Sequence, residues 1–150
     1  MTTLLVVLKV VHVIAATMAV GTNATAVFWL RAGGKDPNRL AFTINGIRRL
    51  DRKLAIPAFG VLFLTGIAMV ILGVYDFTRG WILLAIVLYL GLAVAGMTVM
   101  GPALKRVIAE AERDPHSESF ARAERRSMRY TVGSLTVLLV ILVLMITKPF

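Results

Sequence analysis

The chain has 150 residues, 58% of them hydrophobic, and a formal net charge of +9. So large an apolar share, against roughly 45–50% in soluble domains, excludes an ordinary soluble fold. The absence of cysteine excludes disulfides, thiolate metal centres, iron–sulfur clusters and cysteine nucleophiles.

The first apolar stretch runs from about Leu4 to Leu30. A spanning helix needs about 20 apolar residues, and its backbone polar groups must pair within the segment. At 100° per residue, His12, Ala15, Ala16, Ala19, Asn23 and Ala26 share one face. From His12 to Asn23 the face drifts by about 20° and rises by roughly 16 Å. Small residues let helices approach closely, so this stripe is expected to face protein or a cofactor. Lys9 lies one turn before His12 and can snorkel to the near surface. Ala24-Thr25-Ala26 has the form of a signal-cleavage site. The segment lacks a basic start, Lys9 interrupts it, and it outruns the about 7–15 residues of a signal core, so a retained helix is expected.

Gly33-Gly34 ends this helix, and Asp36-Pro37 reads as the start of the next, with aspartate as N-cap and proline in the first turn. The second span covers about 54–74, and Pro57 is expected to kink it near the surface. A short turn over residues 75–79 leads to the third span, about 81–104, with Tyr75 and Trp81 placed as interfacial anchors. Leu104, Val107, Ile108 and Ala111 keep helical spacing beyond the membrane edge. A second aspartate–proline pair, Asp114-Pro115, predicts a helix start near residue 115, before the fourth span at about 131–146. Trp29 and Tyr130 hold the opposite interface. Phe42 and Phe120 follow their Asp-Pro pairs at equal distance, a hint of a parallel duplication. The expected fold is a single all-α membrane domain over residues 1–150: a four-transmembrane-helix bundle of two helical hairpins with cytoplasmic helical extensions.

The charge is one-sided. Arg31, Lys35, Arg39, Arg48, Arg49, Arg52 and Lys53 separate the first two spans, and Lys105, Arg106, Arg113, Arg122, Arg125, Arg126 and Arg129 separate the last two. Basic loops stay in the cytoplasm. Both termini are therefore expected outside a bacterial inner membrane. The basic loops are expected to attract anionic lipid headgroups rather than nucleic acid.

His12 is the principal candidate for chemistry, because an ionisable side chain inside a span is costly. Three roles are open to it: a hydrogen bond to a neighbouring helix, contact with a haem or porphyrin (as metal ligand, with Lys9 and Asn23 beside it), and quinone contact or proton relay. Every Asp and Glu lies in a connection outside the four apolar stretches, which argues against an acid-based proton-coupled transporter. His116 reads as a solvated loop residue.

Leu8-Lys9-Val10-Val11-His12, followed by Gly21 and Asn23, resembles the domain-of-unknown-function 2269 family of predicted bacterial integral membrane proteins. The resemblance continues through Asn45, Asp51, Pro57, Thr65-Gly66, Trp81, Gly96 and Pro102. The family brings no activity with it. Lys9-x-x-His12 is also similar to a pattern in the small four-helix membrane protoporphyrinogen oxidases, where it implies a haem- or porphyrin-linked histidine. The aromatic and proline positions usual later in that helix are replaced here, around Thr22-Asn23 and Ala32-Gly33. A weaker similarity is to the copper-resistance membrane domains. The expected function is a non-enzymatic accessory or structural membrane component that can take a lipophilic cofactor at His12. A porphyrin-dependent oxidoreductase and a small transporter subunit are the alternatives, and a homodimer joined along the alanine stripe is open.

Overall fold

The computed structural model describes residues 2–73, 75–76 and 78–149. Val74, the expected end of the second span, and Phe77, in the turn after it, lie outside the described residues. Four long helices run in order: α1 (Thr2–Gly33), α2 (Pro37–Ile71), α3 (Gly80–Arg113) and α4 (Glu118–Thr147). Each carries a window long and apolar enough to cross a membrane. They pack as two antiparallel hairpins, α1–α2 and α3–α4, joined by contact of α1 with α4. One end of the bundle holds the two basic connections (the basic end); the other holds both termini.

The helix boundaries obey local chemistry. Gly34 has φ +63° just past α1, the left-handed position that closes a helix and suits glycine, and Gly73 (φ +73°) does the same after α2. Asp36 caps α2 as expected, accepting from the N–H groups of Asn38 (2.9 Å) and Arg39 (3.4 Å), with Pro37 in the first turn. The second aspartate–proline pair behaves differently. Asp114 Oδ1 accepts from His116 N–H at 2.9 Å, and its carbonyl accepts from Ser117 N–H and Oγ–H. This closes a local turn, so α4 begins at Glu118, with Ser117 as the cap of Phe120 N–H, rather than near residue 115. The offset also removes the match between the halves. Phe120 falls in the first turn of α4 and is 1% exposed, whereas Phe42 lies further along its helix and is 78% exposed.

Packing is densest at the basic end. Ala26 and Leu30 of α1, Leu40, Ile44 and Ile47 of α2, Leu104, Val107 and Ala111 of α3, and Phe120 of α4 form one buried cluster. The amphipathic stretches Pro37–Leu50 and Gly101–Arg113 supply most of it. These stretches stand in water if the basic end does, so here the hydrophobic effect itself drives association. Within the apolar spans lipid replaces water, that drive is absent, and much of the surface stays open to lipid. Two smaller clusters remain there. Ala15 and Ala19 meet Ala58, and Trp81 and Ile82 meet Leu144 at the terminal end. Trp81, expected as an interfacial anchor, is turned inward at 5% exposure, edge-on to Tyr75 at 5.4 Å. Trp29 and Tyr130 are exposed, as anchors would be.

Two π-helical turns interrupt the long helices, Asp51–Ala55 in α2 and Gly96–Met100 in α3. A proline stands within two residues after each, Pro57 or Pro102. Proline cannot donate its N–H, and a π turn takes up the mismatch. In α2 the π turn stands directly before Pro57, where the kink is expected.

Ser127 is 2% exposed, and its Oγ has no hydrogen-bond partner. An orphaned buried hydroxyl carries its full desolvation cost. Ser127→Ala is expected to raise the unfolding free energy by about 1 kcal/mol in detergent. A loss of that size would show that the hydroxyl is bonded in solution.

Candidate functional site

The alanine stripe of α1 faces protein. Ala15 and Ala19 are 4% and 0% exposed, packed against Ala58 with Phe59 and Leu62 beside it. This close approach brings His12 onto α2. Its Nδ1 lies 2.8 Å from Thr65 Oγ1, and its Cε1 is 3.5 Å from where a Cβ on Gly66 would stand. Thr65 Oγ1 in turn lies 2.7 Å from the Val61 carbonyl and 3.2 Å from that of Leu62. A hydroxyl has one proton to give, and the carbonyls can only accept it. With that proton on a carbonyl, Thr65 Oγ1 accepts from His12 Nδ1–H; with it turned to His12, Nδ1 is the acceptor.

The other expected site residues diverge from this point. Lys9 is exposed, one turn nearer the terminal end. Asn23 Oδ1 lies 3.3 Å from Ser134 Oγ of α4, a long contact that shares the hydroxyl's one proton with the Thr131 carbonyl at 2.9 Å. His12 thus binds α1 to α2, and Asn23 binds α1 to α4. The three residues share a helix but not a binding centre. Among the described residues no group of three or more His, Asp or Glu side chains gathers at one point. The stripe proposed from the sequence as a homodimer contact is occupied by α2 of the same chain.

A third interhelical bond joins α2 and α3. Tyr89 of α3 donates its hydroxyl to the Phe59 carbonyl of α2 at 2.9 Å. Its ring stacks on Phe63 (5.6 Å) and meets Phe59 edge-on (5.9 Å). Thr65, Ser134 and Tyr89 are each visible in the sequence as rare polar residues within apolar spans. Their partners depend on helix rotation and order in the bundle, which periodicity leaves undetermined.

At the terminal end, Tyr75, Asp76, Arg79, Trp81 and Lys148 line a cleft of about 620 Å³. Lys148 takes a left-handed conformation (φ 45°) at the end of α4. Its Nζ donates to Tyr75 Oη at 2.8 Å and stands 4.7 Å above that ring. Thr78 N–H donates to Asp76 and holds its carboxyl below the ordinary aspartate value, with Arg79 adding to the effect. At the opposite end lies the one ion pair among the described residues, Arg122–Glu118 at 3.9 Å.

Four apolar helices, tied pairwise inside the spans by single polar bonds, define an integral membrane bundle. The family model described as "Predicted integral membrane protein (DUF2269)" matches residues 6–149. The chain belongs to that family. No curated protein and no solved structure matches it.

Proposed function

We propose that the chain is a non-enzymatic membrane component whose first helix is the tie of the bundle. The observation that carries this reading is the use of the polar residues in α1. His12 bonds to Thr65 on one side and Asn23 to Ser134 on the other. Each spends its polar group on a neighbouring helix. A double-mutant cycle of His12→Ala and Thr65→Val, read by unfolding in detergent, is expected to give a coupling of about 1 kcal/mol, within the range for interhelical bonds in membranes. Strictly additive losses would remove the tie.

A second reading is favoured by one detail. Metal-bound histidines hold their other nitrogen in a hydrogen bond, and His12 Nδ1 is held by Thr65. A haem or porphyrin taken up at Nε2, as in a porphyrin-dependent oxidoreductase, would give the purified protein a Soret band that His12→Ala abolishes. The leading reading expects a colourless protein from both. The third alternative, a transporter subunit, has no comparable observation behind it.

The orientation belongs to the same proposal: basic end in the cytoplasm, termini outside, in a bacterial inner membrane. Its support is the confinement of nearly all cations to one end of the bundle. Anionic headgroups at that end are the proposed lipid partners.

A further inference from the structure

We propose that the seam between the membrane halves of α2 and α3 is a groove for one anionic phospholipid from the leaflet at the basic end. The groove rests on the proposed attraction of the basic end for lipid and assigns that attraction to one place.

The two π turns mark where the seam begins. On the basic side of them, Pro37–Leu50 packs against Gly101–Arg113. Beyond them the helices part: the Cα atoms of Ile56–Ile71 and Gly80–Ala95 nowhere come within 8 Å of each other. Closely packed helices run with axes about 8–10 Å apart, and their small residues bring Cα atoms nearer than this. The interval is bridged by Tyr89, through its bond to the Phe59 carbonyl and its ring against Phe63. Phe63 is itself 40% exposed. The bridge therefore offers an aromatic floor to the hydrocarbon. A bilayer leaves no empty gap beside such a floor, and an acyl chain is what lies at hand to fill it.

The mouth of the seam selects the headgroup. Arg52 and Lys53 lie within the π turn of α2. Lys105 and Arg106 come little more than one helical turn after the π turn of α3. All four are exposed, and none has a carboxylate within 4.0 Å among the described residues. Four unneutralised cations near the level of the π turns, where the two helices begin to part, complement a phosphate joined to acyl chains. They also oppose a second copy of this chain, which would bring its own four cations to the same mouth.

The test is native mass spectrometry of the detergent-purified full chain, titrated with phosphatidylglycerol or with phosphatidylcholine of identical acyl chains. One phosphatidylglycerol is expected to bind at least tenfold more tightly than phosphatidylcholine. Changing Arg52, Lys53, Lys105 and Arg106 together to Gln should remove that preference. A control with Lys35, Arg113, Arg122 and Arg125 changed to Gln removes equal charge and should keep it, with helicity by circular dichroism unchanged in both. Equal loss in both variants would overturn the groove while leaving a diffuse attraction of the basic end intact. No preference in the parent protein would overturn both. A protein that binds a second copy at this seam and excludes lipid would also overturn the groove.

Discussion

Phe120→Ala is expected to destabilise the protein by about 3–5 kcal/mol, the range for deleting a fully buried phenylalanine. Phe120 is 1% exposed and belongs to the cluster at the basic end, to which all four helices contribute. That cluster is the largest continuous core among the described residues, and where it stands in water the hydrophobic effect drives its burial. Thermal or denaturant unfolding in mild detergent measures the effect. Phe42→Ala is the matched control. Phe42 occupies the same place after its own Asp-Pro pair but is 78% exposed, so its loss should fall within about 0.5 kcal/mol. Similar effects from the two substitutions would mean that the basic end is not packed as described.

The second large effect is expected inside the membrane. Ala19 is 0% exposed, with Ala58 and Ala15 in the same contact between α1 and α2. There is no room for a longer side chain. Ala19→Leu is expected to cost about 1–3 kcal/mol by overpacking. It should also push α1 away from α2 and open the 2.8 Å bond between His12 and Thr65. In that background His12→Ala should then add little further loss, because the bond it removes is already gone. Ala24→Leu, at an exposed position of the same helix, should be close to neutral. A tolerant Ala19 would show that the two helices are not held this closely.

These two positions also show how far the sequence could be read. Ala19 was legible: the 3.6-residue period of helix geometry placed it on one stripe with His12, and small residues on a stripe face protein. Phe120 was legible as a helical residue near a helix start, but not as core. Its burial depends on Asp114 closing a local turn, which delays the start of α4 to Glu118. Aspartate before proline fits both a cap and a turn, and only the packing of the next residues decides between them. The four spans and the confinement of charge to one end are set by composition along the chain. The π turns are not. Pro57 marked the place in α2, but whether a proline kinks a helix or is absorbed by a wider turn depends on its neighbours. The site shows the same division. His12 and Asn23 stood out because polar residues in apolar spans are rare. That they point to different helices is a property of bundle order, which one helix cannot encode.

The proposed sidedness of the bundle underlies the lipid proposed at the α2–α3 seam. The chain has no cysteine, so a single introduced thiol reports on that sidedness directly. Asn38, exposed in the first turn of α2 beside the basic connection, is the position to change. Asn38→Cys in intact cells, treated with a membrane-impermeant maleimide, is expected to stay unlabelled until the cells are opened. Thr3→Cys, near the first terminus, should be labelled at once. Ready labelling of Asn38→Cys in intact cells, with Thr3→Cys protected, would invert the bundle and contradict a cytoplasmic basic end.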